Sequence, residues 1–190
     1  MGLLPIALAD DPVIRQKSKK VRNVDASLQK LVDDMLETME AARGVGLAAP
    51  QVGILRRVAV IRIPEDAEEG REEQLYVLVN PEIIRRSGER QVEEGCLSIP
   101  GWRGLVTRSE VVTVKALNRQ GKEYRINKAT GLLAQALEHE IDHLNGVLYI
   151  DHLVSPDSLW KIQPKHQAQE EEEEEERAEP RVAEVVPSGL

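Results

Sequence analysis

TGLLAQALEHEIDHLNG, residues 130–146, is the stretch on which the fold turns. Leu133, Leu137, Ile141 and Leu144 recur at helical spacing and form one apolar stripe. Gln135, Glu138, Asp142 and Asn145 form a polar edge, and Leu132, Ala136, His139 and His143 make a third side. A helix is expected from Thr130 or Gly131 to Leu144, with Asn145 and Gly146 as its stop. A helix this apolar belongs at the centre of a fold, with two of its faces covered.

Upstream, Leu28, Leu31, Val32, Met35, Leu36 and Met39 trace the stripe of a second, amphipathic helix. It is expected over 26–43, with Asp25 as N-cap and Gly44 just past the last turn. The material between the two helices reads as strands. RRVAVIRIP (56–64) and LYVLVNP (75–81) are β-branched and end at prolines. Ser87 and Gly88 turn between IIRR and RQVEE, while VVTVKAL (111–117) and KEYRI (122–126) flank a hairpin turn at 118–121. VLYIDHL (147–153) reads as a short strand and a turn. Strands and helices do not alternate as parallel βαβ units would require. The fold class is therefore α+β: antiparallel or mixed sheets around a central helix, with an N-terminal amphipathic helix.

The 190 residues amount to one domain, and a 31% charged, 41% hydrophobic composition is that of a soluble globular chain. No apolar run reaches the length of a membrane span, and the N-terminus lacks a secretory pattern. A single cysteine excludes an intrachain disulfide and points to a reducing cytoplasm. Aromatic residues are only 3%, which argues against base-stacking nucleic-acid platforms, and no DNA binding is expected. The net charge of −8 is uneven: seven consecutive glutamates occupy 170–176. The expected domain is 1–163, followed by an acidic low-complexity tail over 164–190 that has little to bury and favours disorder.

His139-Glu140-Ile141-Asp142-His143 is an H-E-x-x-H pattern on the central helix. Spacing by four puts both imidazoles on one face, a turn apart, where they can grip one metal ion. Glu140 lies beside the pair, where a carboxylate can relay a proton for a water at that metal. A catalytic site normally adds a third protein ligand. Cys96, in EGCLS (94–98), is the best candidate, with His152 and His166 as competitors and a buried structural thiol as the plain alternative. GVGLAAPQ (44–51) is rich in glycine and small residues. By residue type alone it suits a helix cap followed by a loop. The alternative is a strand edge that pairs with an extended peptide, with the Gln51 amide aimed at an oxyanion.

GVGLAAPQ, EGCLS and HEIDH, in this order, resemble the three signature segments of the peptide deformylase family, and the similarity covers about residues 3 to 155. The resemblance implies a hydrolase that removes the N-formyl group from the formylmethionine of newly made chains, releasing formate, with broad tolerance after the first residue. It implies Cys96, His139 and His143 as ligands of one Fe2+, with Ni2+, Co2+ or Zn2+ able to substitute. It makes Glu140 the acid/base, Gln51 and the Leu97 backbone N–H the oxyanion donors, and the backbone of Val45, Gly46 and Gly95 the substrate-binding edge. Two points depart from the family. Glu138 stands where glutamine is usual, and from the polar edge it is expected to matter little. Some members dock on the ribosome through a C-terminal helix, whereas seven glutamates would be repelled by RNA phosphates. Remaining rivals are a general metalloprotease and a non-enzymatic peptide-binding module.

Overall fold

The computed structural model describes residues 2–66, 70 and 72–162, and the helices and strands that carry the site lie in one compact unit, Met1–Trp160. The expected tail from Pro164 onward, His166 included, lies outside the described residues. Helix α1 is Ala26–Ala41, capped by Asp25, whose side chain accepts from the Leu28 N–H at 3.0 Å. It stops two residues short of the expected end. Arg43 takes the left-handed position (φ 51°), and the Gly44 N–H closes the turn on the Met39 carbonyl at 2.9 Å. Gly44 is thus one residue beyond the left-handed cap. Its lack of a side chain serves packing instead, since a Cβ there would stand 2.8 Å from Leu97 Cδ1.

Strands β1 (Gly46–Ala48), β2 (Val58–Ile63), β3 (Gln74–Ser87), β6 (Val111–Leu117) and β7 (Glu123–Ala129) form a five-stranded sheet in the order β1-β2-β3-β6-β7. β4 (Arg90–Cys96), β5 (Ile99–Arg108) and β8 (Leu159–Lys161) form a second sheet in that order. The registered pairings between named strands are antiparallel. β3 does not end at Pro81. It runs through the proline to Ser87, and its pairing with β6 slips between Val79 and Glu82, a bulge that absorbs the missing N–H. β5 was not foreseen, because Pro100, Gly101, Arg103 and Gly104 hide its alternation. Tyr149–His152 is a 3₁₀ turn rather than a strand, with only an isolated bridge between Val106 and Leu153 nearby.

Both faces of the larger sheet are covered at its β1–β2 end. Val58 and Val60 pack with Leu47 against Leu28, Val32, Met35 and Met39 of α1. Ala59, Ile61 and Ile63 point the other way, toward Leu137, Ile141 and Leu144 of helix α2 (Gly131–Leu144). This double burial explains why VAVIRI is almost uninterruptedly apolar. Each fully buried aliphatic side chain contributes about 1.5–3 kcal/mol. The polar edge of α2 is not all solvent-facing: Glu138 is buried at 5% exposure.

Candidate metal centre

α2 presents His139 and His143 toward Cys96 at the end of β4. His143 Nε2 lies 3.2 Å from His139 Nε2 and 3.2 Å from Cys96 Sγ, and one donor atom from each of the three side chains falls within 4.8 Å of the others. A tetrahedral ion bonded at about 2.0–2.3 Å separates its ligands by about 3.3–3.6 Å. The donor set therefore fits a divalent cation. Cys96 reaches this place because β4–β5 pairing slips between Gly95 and Cys96, so Cys96 pairs with Ile99 across a tight turn at Leu97 and Ser98. Among the competing histidines, His152 is not part of the cluster; its Nε2 lies 2.9 Å from Asp142 Oδ2.

Around the donors lies a charged frame that the sequence did not reveal. His139 Nδ1 lies 2.8 Å from Glu94 Oε2. Arg108, on β5, donates through Nε and Nη2 to the two Glu94 oxygens at 2.7 and 3.0 Å, and through Nη1 to Asp142 at 2.5 Å. Arg108 and Glu94 side chains are 3% and 2% exposed. One buried guanidinium thus ties the cysteine-bearing strand to the histidine-bearing helix. Glu138 adds a second tie: it accepts from Arg86 Nε at 2.9 Å, from the Ser109 N–H at 2.8 Å and from Ser109 Oγ at 3.0 Å.

The electrostatics follow this wiring. Burial pushes the Glu94 carboxyl up, but hydrogen bonds from His139 and Arg108 overcome it and hold the group down at about 2. Burial also depresses both imidazoles. In His143 that effect prevails, with the neighbouring His139 adding to it, so the ring is held neutral with a free lone pair. In His139 the contacts with Cys96 and Glu94 outweigh burial and raise it. With Nδ1–H committed to Glu94, the Nε2 proton is the one that a cation would displace. Burial raises Glu140 to about 7. Its Oε2 and the Nδ1 of His143 are buried without a hydrogen-bond partner among the described residues.

Gln51 lies in a 3₁₀ turn, Ala49–Val52, directly after β1. Its Oε1 accepts from the Ala48 N–H at 2.9 Å, which orients the amide, and its Nε2 lies 3.5 Å from Cys96 Sγ and 3.2 Å from Ser98 Oγ. GVGLAAPQ is therefore a strand and turn at the site rather than only a cap and loop. β1 is the edge strand of its sheet; Gly46 pairs with Ile61, and the Val45 carbonyl accepts from the Arg62 N–H at 2.8 Å. The structure thus brings Gln51, Cys96, Glu140, His139 and His143 together, with Leu97 in the turn after the cysteine and Gly95 in the strand before it.

The family model for polypeptide deformylase matches residues 3–158. The chain belongs to the polypeptide deformylase family. Its relatives include the peptide deformylase of Dehalococcoides mccartyi, 53% identical over 171 residues that span 90% of this chain and 98% of that one. Among solved structures, a peptide deformylase from Legionella pneumophila is 42% identical with a TM-score of 0.74, covering 94% of this chain and 99% of its own. A peptide deformylase from Synechococcus elongatus in complex with actinonin is 41% identical with a TM-score of 0.75, covering 82% and 81%. Peptide deformylases are metal-dependent hydrolases, which accords with the Cys96, His139 and His143 donor set.

Sequence reasoning overlooked Arg108, the roles of Glu94, Asp142 and Ser98 at the site, and the buried state of Glu138. An arginine at an inward position of an alternating strand would have been the signal for Arg108, but β5 was too irregular to show alternation.

Proposed function

We propose that this chain hydrolyses the formamide of N-formylmethionyl peptides, giving formate and a free α-amine. The observation that carries the reading is the convergence of Cys96 Sγ and two histidine Nε2 atoms beside the Gln51 amide and the buried Glu140 carboxylate. In this reading Cys96, His139 and His143 hold one divalent cation, Fe2+ by preference, with Ni2+, Co2+ or Zn2+ able to replace it. Held there, the ion supplies Lewis acidity and lowers the pKa of a water molecule.

The chain's own groups do the rest. Glu140 accepts the proton of the attacking water and passes it to the leaving nitrogen, a task suited to a carboxyl that burial moves toward neutrality. Gln51 Nε2–H and the Leu97 N–H donate to the oxygen that gains charge as the formyl carbon becomes tetrahedral. Val45, just before edge strand β1, and Gly46 at its start, through their backbone, and Gly95 on β4 receive the peptide as an added strand. Glu94 and Arg108 keep His139 in one tautomer and orientation.

Residues 1–163 are the catalytic part in this reading, and 164–190 an appendage outside the chemistry. The setting is the cytoplasm, where formylated nascent chains emerge; among the described residues no helix is long and apolar enough to cross a membrane. The test presents formyl-Met-Ala-Ser and an unformylated peptide of the same length to anaerobically prepared protein. Release of formate with no cleavage of internal bonds is expected. Internal cleavage without formate release would replace this reading with that of a general metalloprotease.

A further inference from the structure

We propose that Gly46 is a positioning residue for Glu140: the space that any side chain at 46 would fill is the slot in which the Glu140 carboxylate lies. A Cβ built on Gly46 would stand 2.2 Å from Glu140 Oε1, 2.7 Å from Cδ and 2.9 Å from Cγ. Three atoms of one side chain fall inside the distance that real Cβ contacts respect. The Glu140 side chain is buried, so it has no open solvent into which to swing. Among the described residues no protein group hydrogen-bonds its buried Oε2. The wall against which its Cγ, Cδ and Oε1 pack is the β1 backbone at Gly46.

Gly46 sits in an extended strand paired with Ile61, so alanine is conformationally acceptable there and only the space is wrong. The same residue lies on the strand edge at which the substrate backbone is proposed to dock. One missing side chain thus sets the depth of the acid/base relative to that edge. The inference rests on the deformylase reading, and its failure is distinguishable from the failure of that reading. A wild-type protein that releases no formate overturns the function, whereas an active wild type with an indifferent Gly46 overturns only the positioning role.

The experiment compares Gly46→Ala, Glu140→Asp and the double variant in the metal-loaded full chain. Four quantities are measured: metal content, melting temperature, affinity for the unformylated peptide Met-Ala-Ser, and kcat and KM for formyl-Met-Ala-Ser. Misplacing a reacting group by about 1 Å costs roughly 10²-fold, so Gly46→Ala is expected to lower kcat on that order, with metal content unchanged and any loss of Met-Ala-Ser affinity much smaller than the loss in kcat. The shorter acid loses the outermost contact, Oε1 at 2.2 Å, while its Cγ keeps about the place of Glu140 Cγ. In the Glu140→Asp background the added methyl should therefore cost clearly less than the roughly 10²-fold expected beside Glu140, a coupling typical of residues in contact. If Gly46→Ala also lowers the melting temperature, Glu140→Asp should restore it by relieving the clash. Equal losses in both backgrounds, a normal kcat for Gly46→Ala, or a loss confined to peptide affinity would each overturn the proposal.

Discussion

Replacing Arg108 by methionine tests the idea that a buried ion cluster, and not only the ligands, shapes this site. Arg108 sends three N–H groups to two carboxylates, Glu94 and Asp142, from a side chain that is 3% exposed. Methionine fills similar volume but donates nothing. Among the described residues, Glu94 would be left with His139 as its side-chain partner, and Asp142 with His152. Removing one member of a buried pair typically costs about 3–5 kcal/mol, because the remaining charge is stranded away from water. For a domain of this size, about 2–4 °C per kcal/mol converts this to a melting temperature lower by about 6–20 °C. Glu94, the outer partner of His139, would lose its anchor, so metal binding should weaken, by at most the about 10–100-fold that outright loss of such a partner costs. The assay is urea denaturation of the chelator-treated chain, together with a competition titration for metal affinity. Arg119→Met is the internal control: its bridge to Asp33 is about one-third exposed on each side, and such pairs contribute about 0–1 kcal/mol. If Arg108→Met falls in the same range as Arg119→Met and binds metal normally, the buried frame is not what orders the site.

Cys96→Ser, His139→Ala and His143→Ala should each lose metal and formate release together, measured by metal analysis and turnover on one sample; full metal in Cys96→Ser would remove the thiolate from the ligand set. A pH test lies away from the site. Burial, with Tyr76 beside it, raises the Tyr124 phenol to about 12, and its hydroxyl donates to the Val77 carbonyl at 2.9 Å. A folded-state value above the ordinary 10.0 means that the phenol's contribution is complete below pH 10 and lost as pH rises from there toward 12. Tyr124→Phe should therefore be less stable than wild type at pH 8, with the gap closing by pH 12; parallel denaturation curves would refute this. Truncation after Gln163 should change kcat/KM on short formyl-peptides by less than about twofold, because the acidic segment has little apolar surface to bury; a large loss in that assay would place the tail in the functional unit.

Much of this architecture was legible before the structure. The α1 stripe, the hairpin of β6 and β7, and α2 were readable because each has a clean period and a recognisable stop. β5 and the Tyr149–His152 turn were not, since glycine, proline and arginine break the period of the first, and the apolar run 147–150 is equally good as strand or turn. At the site, the motif residues declared themselves by chemical type. Their relation did not: Cys96 and His143 are far apart in sequence, and only tertiary packing sets the 3.2 Å contact between them. The burial of Glu138 was hidden for a related reason. A helical wheel shows which residues share an edge, but not that Arg86 and Ser109 arrive from other elements to satisfy one of them.

The account's central claim is that this donor set, with Glu140 as proton carrier, removes formyl groups. The most direct measurement is formate release from formyl-Met-Ala by anaerobic, iron-loaded wild type and by Glu140→Gln, with iron quantified in both. The account predicts rapid formate release by the wild type and, in a variant with equal iron, turnover lower by at least about 10²-fold, the scale of positioned acid/base catalysis. No formate from iron-replete wild type, or near-normal turnover in Glu140→Gln, would contradict it.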